Sequence, residues 1–180
     1  RFGWQAKIAY WNLTRLAAAL SPLFASPEPL QEGLQRYREV HAAAECDNIA
    51  RKLGFAECRD DDITMMEELH ALLQAGEVDM TIFFRNLAGV DLAEPGLAPL
   101  EDAFYEAGKR DAVEPGLLDW LQRYAWRTGF DPLDAKTRKA RMDAANPRYV
   151  LRNYLVQQVI DRAEAGDESG IAELLEVMRR

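Results

Sequence analysis

Few side chains in this sequence are nucleophiles or metal ligands. Cysteine stands only at Cys46 and Cys58, histidine only at His41 and His70, and serine only at Ser21, Ser26 and Ser169. The cysteines have no metal-ligand spacing, which leaves no zinc site, and two thiols in such company are expected to be reduced, as in a cytoplasmic protein. No serine occupies a nucleophile elbow. No His-Glu-x-x-His pair, Walker-type sequence or glycine loop between strand and helix is present. His41 and His70 fall on different predicted helices and read as surface or half-buried residues rather than ligands. Long apolar runs are missing as well. No stretch approaches the roughly 18 residues that cross a bilayer, and there is no signal peptide, so no membrane partner is expected. Positive charge is in deficit, 22 Lys and Arg against 30 Asp and Glu. A net charge of −8 argues against a nucleic-acid partner and leaves room only for a local basic patch.

What is present is apolar spacing at helical period. With 48% hydrophobic and 29% charged residues, the chain has the composition of a folded protein, and its length predicts a single domain over residues 1–180. Ala6, Ile8, Ala9, Trp11, Leu13, Leu16, Ala17 and Leu20 make a stripe ended by Ser21-Pro22. Ser26-Pro27-Glu28 opens a long helix whose buried face is expected to carry Leu30, Leu34, Tyr37, Val40, Ala44, Ile49 and Leu53, with Gly54 closing it. Asp60-Asp61-Asp62 offers hard oxygens to a divalent cation. Without glycine or ordered ligand spacing, it reads instead as the acidic first turn of a helix. Thr64 and Glu67 suggest a capping box there, and Met65, Leu69, Leu72 and Leu73 point inward, with Gly76 past the end. Asp79 is the expected cap of a helix from Met80 to Ala88. Gly89 to Pro99 reads as loop.

Further helices are predicted from Leu100 to Ala107, Pro115 to Arg127, Pro132 to Ala144, Pro147 to Ala165 and Gly170 to Met178, with Pro115, Pro132 and Pro147 each in a first turn. The last helix runs on to Arg179-Arg180, and the sequence begins at Arg1 without Met. Both features lead us to expect a piece of a longer chain. No strand alternation or hairpin signal occurs, and segment lengths follow no fixed repeat, so the predicted class is all-α. The aromatics Trp4, Tyr10, Trp11, Trp120, Tyr124 and Trp126 read as helix packing rather than a stacking surface. The basic run Lys136-Thr137-Arg138-Lys139-Ala140-Arg141 reads as a solvated face, the alternative being contact with phosphate or an acidic partner.

The stretch from Asn146 to Leu155 is the most distinctive. Asn146 as N-cap and Pro147 at N1 predict the central helix of the fold, with Arg152 in the middle of its apolar face. A guanidinium there must snorkel out or meet a carboxylate.

The run Asn146-Pro147-Arg148-Tyr149-Val150-Leu151-Arg152-Asn153-Tyr154-Leu155, then Gln157 and Ala163-Glu164-Ala165-Gly166-Asp167, resembles the C-terminal signature of the selenoprotein O (SelO) family. Gln5-Ala6-Lys7-Ile8-Ala9-Tyr10-Trp11-Asn12-Leu13 is similar to an early segment of that family, with Ala6 where proline is usual. Lys52-Leu53-Gly54, Asp79 to Leu87 and Leu174 to Arg179 follow in the expected order. The resemblance implies a protein adenylyltransferase of protein-kinase-like fold that moves AMP from ATP to Ser, Thr or Tyr hydroxyls of protein substrates. This chain would be the helical C-terminal part of its large lobe. ATP and Mg²⁺ are implied for the full-length parent, and their site would lie upstream of Arg1 in the kinase-like catalytic lobe. No catalytic, cofactor-binding or metal-binding residue carries over onto residues 1–180. The alternative is a free-standing helical interaction domain without catalysis.

Overall fold

The computed structural model describes residues 4–179, all of whose regular elements are helices, and its chain divides into two compact units at Asn48 and Ile49. The all-α expectation is therefore met. The Arg180 end of the predicted last helix lies outside the described residues.

The first unit contains α1 (Gln5–Leu20), a 3₁₀ turn at Ser21–Leu23 and most of α2 (Glu28–Leu53). Pro22 lies in the 3₁₀ turn where the sequence predicted the stop. Tyr37 donates to the main-chain oxygen of Ala6 at 3.2 Å, and its ring lies 6.1 Å from that of Tyr10. The stripe on α1 is present but uncovered. No residue of α1 is buried, and Trp4, Ile8, Trp11 and Leu16 are exposed. On α2 the predicted buried face holds only at its far end, where Ile49, Ala50 and Leu53 are buried while Val40 is exposed.

The second unit holds the core. It runs from the last turn of α2 through α3 (Asp60–Ala75), α4 (Met80–Leu87), a 3₁₀ turn (Ala98–Ala103), α5 (Ala107–Gly129), α6 (Ala135–Ala145), α7 (Asn153–Glu164) and α8 (Ser169–Met178). Helix α3 packs on α5, α4 on the 3₁₀ turn, and α7 on α8. Leu53, Phe55, Leu69, Phe83, Leu100, Leu117, Trp120 and Leu121 are fully buried between these elements. Helix α2 ends at Gly54, whose φ is +75°. A side chain there would be strained, and a Cβ would also strike Arg138 and Met142 of α6, coming within 2.7 Å of the Met142 Cγ. Only glycine lets α6 lie this close to the end of α2.

Several predicted boundaries are corrected. Helix α5 starts at Ala107, eight residues before Pro115, which lies inside it. The missing amide of Pro115 removes one helical bond, outweighed by the buried face of Val113, Leu117, Trp120, Leu121 and Tyr124. Leu100 to Ala107 is not an α-helix: the 3₁₀ turn ends at Ala103, residues 104–106 are not helical, and Ala107 opens α5. Helix α6 begins after Asp134, whose carboxylate accepts from Thr137 N at 2.9 Å, rather than at Pro132. The capping pair of α3 is not Thr64 with Glu67. Asp62 at N3 accepts from the amide of Arg59 at 2.8 Å. Cys46 and Cys58 are not thiols but disulfide-bonded residues. Composition addresses compartment and carries no geometry, so it could not foresee this.

The largest correction concerns the Asn146 stretch. Residues 147–152 are not helical, α7 begins at Asn153, and no residue of α7 is buried. Asn146 ends α6 instead of starting a helix. Its amide donates to the Lys52 main-chain oxygen at 3.0 Å and its Oδ1 accepts from Lys52 Nζ at 3.0 Å. A side chain committed to the Lys52 carbonyl and ammonium at the end of α2 cannot also cap its own chain.

Candidate functional site

The polar residues that organise the second unit gather around two acceptors, the carboxylate of Asp79 and the carbonyls ending α2 and α6. Asp79 is the N-cap of α4, as predicted. Its Oδ1 accepts from the amides of Thr81 at 3.0 Å and Ile82 at 3.2 Å. Its Oδ2 takes the Tyr105 hydroxyl at 2.5 Å and Arg152 Nη2 at 2.6 Å. The side chain of Asp79 is 3% exposed and that of Arg152 41%. Burial alone would raise this carboxyl's pKa. The Tyr105 hydroxyl, the Ile82 amide and the Arg152 charge outweigh it and hold the pKa below the ordinary carboxylate value. Arg152 therefore meets a carboxylate, though from the N-cap position of α7 and not from an apolar helix face.

The second gathering point joins α2, α4 and α6. Arg85 Nη1 donates to the main-chain oxygens of Asp143 at 2.8 Å and Asn146 at 3.1 Å, the free carbonyls at the end of α6. Lys52 Nζ lies 4.4 Å from the centroid of the Phe84 ring, and burial lowers its pKa. His70 sits edge-on to Phe84 at 6.2 Å. Burial, then the charge of Lys52, lowers its pKa.

The family model described as "Protein adenylyltransferase SelO" matches residues 1–179. The chain belongs to the SelO family. It is 55% identical over 179 residues to "Protein nucleotidyltransferase YdiU" of Xanthomonas axonopodis pv. citri, covering 99% of this chain and 35% of that relative. It is 56% identical over 180 residues to the protein of the same description from Xanthomonas euvesicatoria pv. vesicatoria, covering 100% of this chain and 35% of the relative. The chain thus spans about a third of the length of these curated relatives.

Three of the segments that carried the resemblance to SelO meet in the second unit. Lys52 of Lys52-Leu53-Gly54 bonds Asn146, Arg85 of the Asp79 to Leu87 segment bonds the Asn146 carbonyl, and Asp79 pairs with Arg152. These side chains join helix ends, which is a structural use of polar groups. Among the described residues, no group of three or more His, Cys, Asp or Glu is placed to hold a metal ion. Asp60-Asp61-Asp62 opens α3, and Asp62 is consumed in a buried ion pair with Arg127. His41 lies on α2 near Glu45 at 3.8 Å, far along the chain from His70 on α3. Of the aromatics, Trp120 and Tyr124 are core while Trp126 is exposed. Sequence reading missed Tyr105 and Arg85 as partners, because nothing local marks a side chain whose acceptor belongs to another element.

The Asp79 pair makes a pH-dependent prediction. Arg152→Met is expected to destabilise by about 1–2 kcal/mol. That is less than for an orphaned charge, since Tyr105 and two amides still serve Asp79. A carboxyl with a lowered folded pKa contributes stability above its unfolded value of about 3.9, lost as pH falls through the folded value. The difference between the wild type and Arg152→Met should therefore be constant near neutrality and shrink below about pH 4. Urea unfolding from neutral to acid pH checks it. A pH-independent difference would show that Arg152 contributes by packing alone.

Proposed function

We propose that this chain is the helical C-terminal region of a protein adenylyltransferase, where it supports a kinase-like catalytic lobe and helps to present protein substrates. The observation that carries this reading is the family match over residues 1–179 in a chain that spans 35% of its relatives' length. AMP transfer to a hydroxyl depends on positioning and on neutralising phosphate charge with Mg²⁺, Lys and Arg. That set belongs, on this reading, to the remainder of the protein, upstream, together with ATP and Mg²⁺. The exposed apolar residues Ile8, Trp11 and Leu16 of α1, with Trp4 just before it, support a role in packing against a larger body, because exposed apolar surface on this scale marks an interaction site. Among the described residues no helix is long and apolar enough to cross a membrane. The same reading places the protein in the bacterial cytoplasm.

The test is AMP transfer from labelled ATP with Mg²⁺ to protein hydroxyls, run on the full-length parent and on residues 1–180. Label transfer by the parent and none by residues 1–180 is expected. Transfer by neither, or by residues 1–180 alone, overturns the assignment.

A further inference from the structure

A cleft in the second unit is lined by three cations and no carboxylate. It holds about 360 Å³ and is walled by Arg85, Asn86, Gly89, Pro99, Lys139 and Arg148. Arg85 comes from the last turn of α4, Lys139 from α6 and Arg148 from the non-helical link before α7. Arg85 is fixed before any ligand arrives. Its two hydrogen bonds to the carbonyls of Asp143 and Asn146, and its 3.5 Å approach to the Asp143 carboxylate, all run through Nη1. Nε and Nη2 keep their protons available. Lys139 is held by Asp143 at 2.7 Å. The Arg148 guanidinium lies 5.4 Å from the Tyr149 ring centroid and makes no ion pair among the described residues.

Charge decides what such a cleft takes. Three cations less the Asp143 carboxylate leave a local charge of +2 in a chain whose net charge is −8. A phosphate monoester carries about −1.5 to −2 at neutral pH and presents three acceptor oxygens. The free edge of a guanidinium takes two oxygens at once and an ammonium takes a third as a point charge. A carboxylate, with one charge, satisfies half of this set. We propose that the cleft between α4, α6 and Arg148 is a binding site for a phosphate monoester group. It assigns to the basic run of α6 the phosphate contact that spacing alone disfavoured, and it does not depend on the transfer reaction.

The experiment is amide hydrogen exchange on the full-length protein titrated with inorganic phosphate, read on the peptides carrying Arg85 to Gly89 and Lys139 to Arg148. Local protection that saturates is expected, with sulfate competing and acetate not. In K139Q/R148Q, half-saturation should move at least about tenfold higher. Lys139 and Arg148 are both exposed, and a thermal melt of that variant confirms that it is folded. A phosphoserine peptide, set beside its unphosphorylated form, separates a protein-borne phosphate from a free one. Protection by phosphate at this locus supports the site whichever source binds more tightly. No protection up to the order of tens of millimolar, equal protection by acetate, or an unchanged titration in K139Q/R148Q each overturns it.

Discussion

Arg127→Met is expected to cost about 3–5 kcal/mol of folding stability, the usual result of leaving a buried charge without its partner. Arg127 Nε and Nη2 donate to the two carboxylate oxygens of Asp62 at 2.8 and 2.9 Å, a bidentate pair. Nη2 also donates to the Glu57 carbonyl at 3.1 Å and Nη1 to Asp131 at 3.3 Å, while the guanidinium lies 4.1 Å from the Phe55 ring centroid. Side-chain exposure is 6% for Arg127, 0% for Asp62 and 2% for Asp131. Burial works against the guanidinium's charge, but the bonds and charges of Asp62 and Asp131 prevail and raise its pKa, so it stays protonated at any working pH. Methionine fills similar volume and supplies none of the five donors. Asp131 then still accepts from the amides of Ala56 at 3.0 Å and Leu133 at 3.1 Å, whereas Asp62, fully buried, keeps only the Arg59 amide and loses its charge partner. That identifies the control. Asp62→Asn in the Arg127→Met background should recover part of the loss, because a neutral amide in place of the carboxylate removes the unpaired charge. Equilibrium urea unfolding measures both. A loss below about 1 kcal/mol for Arg127→Met would mean that the pair barely exceeds its own desolvation cost.

This ion pair also shows where sequence reading ends. Rules that depend on neighbours a few residues apart worked. The acidic start of α3, the Asp79 cap of α4 and the Gly54 stop of α2 are visible because the cause and its effect share a turn of chain. Asp62 and Arg127 are 65 residues apart, and Asn146 and Lys52 are 94 apart. No periodicity announces either partnership. The Asn146 misreading is instructive because the local rule was sound. An Asn followed by Pro is a good helix start, but a buried Asn that meets an orphan carbonyl and an ammonium from another helix gains more there than at its own N-cap. Pro115 fails by the same logic, with core burial on one helix face overriding a single lost bond. Of the proposed phosphate site, only Lys139 was legible, as part of a basic run. Arg85 and Arg148 join it through the packing of α4 and α6.

Trp120→Ala is expected to destabilise by about 3–5 kcal/mol, the range for removing a large aromatic from a close-packed core. Trp120 is completely buried on α5, stacked on Tyr124 with ring centroids 5.2 Å apart and planes within 10°. Its Nε1 donates to the main-chain oxygen of Met65 at 2.8 Å, which fastens α5 to α3. The Tyr124 hydroxyl in turn donates to the Leu53 carbonyl at 2.8 Å, and burial pushes its pKa up to about 12. The two rings therefore tie α3, α5 and the end of α2 through one stack. Truncation to Ala removes the transfer free energy of the indole, leaves a cavity and exposes one face of Tyr124. Trp120→Phe separates these contributions, since it keeps most of the ring and loses the indole N–H. Its cost should be about 1–2 kcal/mol. Denaturant unfolding followed by circular dichroism gives both values without relying on the fluorescence that Trp120 itself supplies. If Trp120→Ala cost no more than Trp120→Phe, the neighbouring helices would have closed over the vacancy. The core of the second unit would then be compliant rather than held by the stack, and α3 could move on α5 at little cost.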